Sequence, residues 1–425
     1  MLRRQGFLYS LLVCLSLLVF KHGVVVNGQE FVKASGNRFM FHGRPFYSNG
    51  FNAYWLMDKA ADPNERHRVT EAFQQASGKG MYVVRTWAFA DGGDEPLQIS
   101  PGNYNENMFK ALDFVVSEAK RFGVYLILSL VNNYENYGGR KQYVQWARER
   151  GQSLSSDDDF YTNEVVRGFY MNHVRAVLTR VNTITGVAYK DEPAIFAWEL
   201  INEPRCQSDL SGKTLQDWIS VMARHVKSID SNHMLEVGLE GFYGESMQDR
   251  KQYNPGYEVG TDYISNNQVQ EIDFATLHAY PDQWMSGSDE QSQLNFLHRW
   301  LESHIQDAGS VFGKPLMVTE FGRSSRQAGY STGQRDNMFG RVYNTIYGCA
   351  RSGGPCPGAL FWQLLVEGMD NWKDGYEVIM LENPSTANII AQQSHQISSL
   401  DRVTDLFARV QEMERSMSNK AKLLD

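Results

Sequence analysis

FAWELINEPR, residues 196–205, is an apolar run that stops at an acid. Ala194 to Trp198 suits a strand buried on both faces, as in a parallel sheet. Pro204 cannot donate to a sheet ladder, so the strand is expected to end there. Glu203 then stands at the carboxyl end of a buried strand, where α/β enzymes hold their chemistry. A carboxylate in that place needs a partner from elsewhere in the chain.

Outward from this stretch, short β-rich runs alternate with helical patterns in both directions. The expected strands are Pro45–Gly50, Met81–Thr86, Val124–Val131, Ala194–Ile201, Met234–Gly238, Phe274–His278, Leu316–Glu320 and Ala359–Trp362. Helical periodicity falls between them at Asn64–Gly78, Asn107–Phe122, Asp159–Thr183, Thr214–Asp230, Asp289–Ala308 and Gln334–Arg351. A last helix is expected over Ser398–Met417, and the connection Glu240–Glu271 reads as a long loop. Phe31 to Phe46 reads as a short hairpin turning at Gly36–Asn37, suited to capping the closed end of a larger domain. The pattern predicts the α/β class: a (β/α)8 TIM barrel with enlarged loops and a short N-terminal β-hairpin. A doubly wound open sheet is the structural alternative. Neither Gly-x-Gly-x-x-Gly nor a Walker loop occurs, so nucleotide binding has no support. No Pro/Ser/Thr-rich linker or charge run interrupts the chain, so residues 29–425 read as a single catalytic domain.

The N-terminus reads differently. Arg3 and Arg4 precede an apolar run of 14 residues, Phe7 to Phe20. A membrane span needs about 20, and small residues follow with Val26 and Gly28 at a cleavage-site spacing. Residues 1–28 are therefore expected to be a secretory signal peptide, with a membrane anchor as the other reading. No second apolar stretch approaches that length, so the mature chain is expected to be soluble and secreted. The formal net charge of −8 becomes more negative once Arg3, Arg4 and Lys21 leave with the signal. Such a chain is poorly suited to nucleic acid or anionic membranes. Cys14 leaves too, and Cys206, Cys349 and Cys356 remain. Cys349 and Cys356 flank a Gly-Gly-Pro turn, so a small-loop disulfide is expected there and Cys206 is left unpaired.

Glu203 finds its counterpart in Leu316 to Gly322, a second apolar run that stops at an acid, Glu320. The glutamates are 117 positions apart, a distance that three βα repeats cover, placing them on strands four and seven. Strict alternation puts Ala197, Glu199, Ile201 and Glu203 on one face, and Leu316, Val318 and Glu320 on another, so both terminal acids are expected to point into the barrel mouth. Two carboxylates across a cleft suit glycosidic bond cleavage, one protonating the leaving oxygen and the other attacking or activating water. Rim salt bridges are the plainer fate of such acids; the matched pair favours chemistry.

Other strand ends supply support. Arg85 closes strand two and is expected to hold Glu320 ionised. His278 and Tyr280 close strand six, Asn132 and Asn133 strand three, and Trp362 strand eight. Asn202 can bond a sugar 2-hydroxyl, and Trp87, Trp284 and Trp372 can line sugar subsites from rim loops, although such residues also pack loops. The chain is rich in Trp and Tyr, which a sugar-stacking protein uses and a large aromatic core also uses. Metal ligation lacks paired His or Cys spacing, a Ser-His-Asp centre lacks Gly-x-Ser-x-Gly, and no cofactor is expected.

Asn202–Glu203–Pro204, Thr319–Glu320–Phe321–Gly322, Arg85, the His278-x-Tyr280 pair and Trp362 together resemble glycoside hydrolase family 5. The stretches RTWAFADGG, NNYENYGGRKQYVQWAR, EGFYGES, HAYPDQW and GMDNWKDGYEV resemble its plant endo-β-1,4-mannanases. The likeness covers nearly the whole mature chain. It implies retaining double displacement on mannan, glucomannan or galactomannan, with Glu203 as acid/base and Glu320 as nucleophile. It also implies substrate contacts from Arg85, Trp87, Asn132, Asn202, His278, Tyr280, Trp284 and Trp362, and a monomer working in the plant cell wall. Many family members carry a His at the end of strand three, where this chain offers Asn132. A β-1,4-glucanase on the same fold, a non-catalytic glycan-binding barrel and a transglycosylase side activity remain alternatives. The two ionisation states lead to an expected acidic pH optimum, with Arg85 lowering the Glu320 pKa and burial raising that of Glu203.

Overall fold

The computed structural model describes residues 31–400. The expected signal peptide and most of the helix expected over Ser398–Met417 lie outside them. Among the described residues, no helix is long and apolar enough to cross a membrane.

Eight short strands form the centre: β1 (Asn49–Asn52), β2 (Met81–Trp87), β3 (Tyr125–Ser129), β4 (Ile195–Glu199), β5 (Met234–Glu236), β6 (Ala275–Ala279), β7 (Leu316–Phe321) and β8 (Leu360–Phe361). One parallel ladder runs β5-β4-β3-β2-β1-β8 and another joins β6 to β7. A parallel bridge from Val318 to Ala359 joins β7 to β8. Across the remaining seam, Asp273 N–H donates to Leu235 O and His278 N–H to Glu240 O, 2.8 and 3.0 Å. The ring therefore closes as the expected barrel. Three short antiparallel strands, Lys33–Ser35, Arg38–Phe41 and Arg44–Pro45, cover its amino-terminal end, one more than the expected hairpin.

The first strand starts four residues later than its apolar pattern suggested. Pro45 belongs to the cap, and the barrel strand carries Asn52 at its tip. Gly50 is needed within it because a Cβ there would lie 1.7 Å from Val83 O.

Helices pack outside with apolar faces inward. Two of them begin earlier than their hydrophobic period shows, because their caps lie upstream of it. The Asn105 side chain accepts from Asn107 N–H, starting the helix at Glu106. Ser331 and Gln334 form a capping box, starting the next at Thr332. The pattern over Asp159–Thr183 resolves into a 3-10 turn, Asp157–Phe160, and a helix, Glu164–Leu178, capped by Asn163. Helices at Leu56–Ala61, Gly139–Glu149 and Pro384–Ser398 were not expected. The loop after β5 contains a kinked 3-10 segment, Glu245–Tyr253, and one helix of five residues, Tyr263–Asn267. Cys349 and Cys356 form the expected disulfide, with Cα atoms 5.8 Å apart, and Cys206 is buried and free.

Candidate active site

The lower barrel interior is apolar, and one step up the strands it becomes polar. Arg85, Glu199, Glu236 and His278 are completely buried. Arg85 organises this layer. Its Nε and Nη2 donate to the two Glu199 oxygens at 2.5 and 2.8 Å. Its Nη1 donates to Glu320 Oε1 at 2.6 Å and to Asn52 Oδ1 at 3.0 Å, and Nη2 also donates to Asn202 Oδ1 at 2.7 Å. One guanidinium thus ties β2 to β1, β4 and β7.

Both glutamates reach the mouth, but not by the expected alternation. Leu316 and Val318 pack outward in the core between sheet and helices, while Met317 faces the barrel axis. Glu320 turns inward past a register shift between Leu277 and His278 on neighbouring β6, where His278 pairs with Glu320. On the other strand, Glu199 faces inward as expected but Ile201 packs outward, and both Asn202 and Glu203 face the site. The backbone at Glu203 has left its strand, with φ +50°, a conformation that costs a non-glycine residue energy and that clusters at functional sites. Period two therefore fails at the two positions that matter most.

The carboxylates converge. Oxygens of Glu203 and Glu320 and a ring nitrogen of His278 lie within 4.8 Å of one another. His278 Nδ1 is 2.5 Å from Glu203 Oε1 and 3.7 Å from Glu320 Oε2. The Tyr280 hydroxyl donates to Glu320 Oε2 at 2.6 Å. Among the described residues this trio is where three such atoms meet, and their bonding to one another, to Arg85 and to Tyr280 suits proton chemistry. Glu320 thus takes a donor on each oxygen, Arg85 on one and Tyr280 on the other.

Burial raises both pKa values. For Glu203, desolvation outweighs the nearby Arg205 charge and the Tyr134 hydroxyl. For Glu320, desolvation and the Glu203 charge outweigh His278, Arg85 and Tyr280. This corrects the expectation of a lowered Glu320: Arg85 pulls in the expected direction, but its charge is shared with Glu199 and loses to burial. Burial pulls the His278 pKa below the ordinary value, against the charges of Glu320, Glu240 and Glu199.

The pair sits in a cleft of about 740 Å³. Trp87, Asn132, Asn202, Tyr280, Trp284 and Trp362 all line it, and Arg85 and His278 lie behind its surface. Trp362 stacks on Tyr54 at 5.6 Å with planes 8° apart, and its indole N–H donates to Asp374 at 2.7 Å. Trp87 packs beside Trp362 and over the Arg85 guanidinium. Trp284 comes from a short helix, Pro281–Trp284, and packs on Phe242 and Trp300. Trp372 lies against Tyr54 but not in the cleft lining. Asn132 also braces Asn202, because its Oδ1 accepts from Asn202 Nδ2 at 2.9 Å while its Nδ2 donates to Asn136 O. Asn133 accepts from Arg205 N–H.

Several residues in and behind the cleft carried no readable signal. Asn52 was hidden by the misplaced first strand. Arg205 and Glu240 form a two-pronged ion pair at 2.8 and 2.6 Å beside Tyr134 and Tyr257. Burial and the Glu203 charge push Glu240 up to about 7. Arg205 directly follows the Asn-Glu-Pro element, and its placement next to the acid was the available clue.

Comparison with known proteins agrees with this geometry. A family profile described as GH family 5 beta-mannosidase-like matches residues 29–377. The chain belongs to glycoside hydrolase family 5. This glycoside hydrolase is 58% identical to mannan endo-1,4-beta-mannosidase 1 of Oryza sativa subsp. japonica, over 95% of this chain and 94% of that protein. It is 54% identical to mannan endo-1,4-beta-mannosidase 7 of Arabidopsis thaliana, over 91% and 89%. Among solved structures, the endo-1,4-beta-mannanase from Rhizomucor miehei superposes with a TM-score of 0.72 at 30% identity, covering 87% of this chain and all of that one.

Proposed function

We propose that this glycoside hydrolase is a secreted, monomeric endo-β-1,4-mannanase that cuts internal bonds of mannan, galactomannan and glucomannan with retention of configuration. The observation that carries the mechanism is the short separation of the Glu203 and Glu320 oxygens, within 4.8 Å. Retaining enzymes hold their carboxyl groups about 5–5.5 Å apart, and inverting enzymes about 6.5–9.5 Å to admit a water. The names of the plant relatives support the substrate class, and the basic and apolar start of the chain supports secretion.

In the first step a Glu320 oxygen bonds the anomeric carbon while the glycosidic C–O bond breaks. The departing oxygen takes the Glu203 proton. In the second step Glu203 removes a proton from water, the water oxygen bonds the anomeric carbon, and the Glu320–carbon bond breaks. Arg85 and Tyr280 fix the attacking carboxylate and favour its charge. Glu203 has His278 at hydrogen-bond distance and sits where ionisation is disfavoured, which suits the proton donor. The aromatic groups around Trp362 and around Trp284 supply stacking surfaces for more than one sugar ring, as cutting within a chain requires. A sugar hydroxyl taking the place of water in the second step gives transglycosylation.

Product sizing on linear mannan, galactomannan, glucomannan and carboxymethylcellulose tests this reading, with Glu320→Ala alongside. Short mannan oligosaccharides whose new ends begin in the β configuration are expected. Preferential cleavage of carboxymethylcellulose, or equal activity in Glu320→Ala, overturns it. Sequencing the N-terminus of secreted protein checks cleavage after Gly28.

A further inference from the structure

Glu236 on β5 is the cross-strand neighbour of Glu199 on β4, and both are completely buried. Both face Arg85, which has five N–H donors. All five are engaged: two on Glu199, and one each on Glu320, Asn52 and Asn202. None is left for Glu236, and among the described residues no side-chain donor bonds either of its carboxyl oxygens; the Gly238 backbone N–H gives it only a weak pull toward ionisation. A buried carboxylate without a side-chain donor, beside a second carboxylate, is costly to ionise. A proton shared between the two removes both costs, because the protonated acid donates to its neighbour.

We propose that Glu236 is a positioning residue: it keeps a proton at working pH, donates it to Glu199, and so leaves more of the Arg85 charge to hold Glu320 ionised. This rests on the reading of Glu320 as nucleophile. The two partners respond in opposite directions. Burial and the Glu199 charge push Glu236 well above the carboxylate range. Burial opposes ionisation of Glu199 too, but the charge and hydrogen bonds of Arg85, with the proton from Glu236, hold it below that range. The groups facing Glu320 itself are Arg85 from β2, His278 from β6, Tyr280 and Glu203. Of these, Arg85 is the one that bonds Glu199 directly, through two N–H groups.

Two variants and two measurements test the proposal. Glu236→Gln keeps the shape and an N–H to offer Glu199, whereas Glu236→Leu keeps neither donor nor acceptor. The infrared difference between wild type and Glu236→Gln at neutral pH is expected to contain the carbonyl stretch of a protonated carboxyl. That measurement stands whether or not Glu320 is the nucleophile. The acid limb of kcat/KM on soluble mannan is expected to move to higher pH by about half a unit in Glu236→Leu, one hydrogen bond's worth. In Glu236→Gln it is expected to coincide with wild type. Absence of the protonated-carboxyl band overturns the proposal. So does a limb that moves to lower pH in either variant, which is the response to removing an ionised acid, or one that stays fixed in the Leu variant. Should Glu236→Leu not fold, the infrared difference on the Gln variant decides. Full activity in Glu320→Ala, by contrast, would sink the functional reading and leave the shared proton standing.

Discussion

The lower and upper halves of the barrel interior are made by the same strands, two residues apart. Val83, Ile127, Ala197 and Met234 line the lower half, with Phe274, Met317 and Leu360. Two positions further along β2 to β5 stand Arg85, Ser129, Glu199 and Glu236. One period of a strand, about 6.6 Å, separates a dry core from a charged one. The lower half is sealed by the antiparallel cap, where Phe39 meets Phe196 and Phe274 edge-on at 5.0 and 5.1 Å. The upper half opens into the cleft, and most of its polar groups bond one another, with Glu236 and the Nε2 of His278 as exceptions. Stability and chemistry thus occupy adjacent layers of one element set, and substitutions in the two should have separable effects.

The largest separation is expected at Glu320→Ala. It should lower kcat by about 10⁴-fold or more with a cooperative melting transition retained; comparable activity would mean that the upper layer is not the chemical one. Glu203→Gln should cost about 10²–10⁴-fold and flatten the alkaline limb of the pH profile, because the amide has no proton to lose. Phe39→Ala tests the other layer. It should lower unfolding free energy by about 3–5 kcal/mol in denaturant titrations while kcat of the folded fraction stays unchanged. Loss of kcat at full stability would couple the halves after all.

A bell-shaped kcat/KM profile is the next expectation. Glu320 must be ionised and its pKa is raised, so activity should fall as pH drops through a limb above the ordinary glutamate value. Glu203 must be protonated and its pKa is also raised, so activity should fall again as pH climbs through its limb. An acid limb below the ordinary glutamate value would show that Arg85 outweighs burial. The smallest effect is expected at Asn132→Ala, which removes a brace rather than a reacting group. A loss of about tenfold or less, one hydrogen bond's worth, would fit; a loss as large as that of Glu203→Gln would place Asn132 on the substrate.

Much of this was legible in the chain because strand ends carry the chemistry. Glu203, Glu320, Arg85, Tyr280 and Trp362 each terminate or follow an apolar run, and each is at the site. The details that escaped share a cause: period-two reasoning assumes an ideal strand. The β6 register shift and the left-handed backbone at Glu203 are tertiary features that local pattern does not encode. Glu199 was seen as inward-facing but had no readable partner, since Arg85 lies 114 positions away. Glu236 looked like any residue of the expected strand Met234–Gly238. Helices at Leu56–Ala61 and Gly139–Glu149 were obscured by length and by a glycine-rich start. The balance of charges on Glu320 was misjudged because sequence shows that an arginine is near but not how many acids share it.

That sharing has a practical consequence. Five bonds from a single side chain join four of the eight staves at the rim, and the attacking carboxylate is one of the joints. The ring cannot spring open at this edge without releasing the nucleophile. Residual turnover during heating is then a gauge of ring integrity: loss of activity should keep step with loss of structure, and an inactive but still closed form should not accumulate on the way.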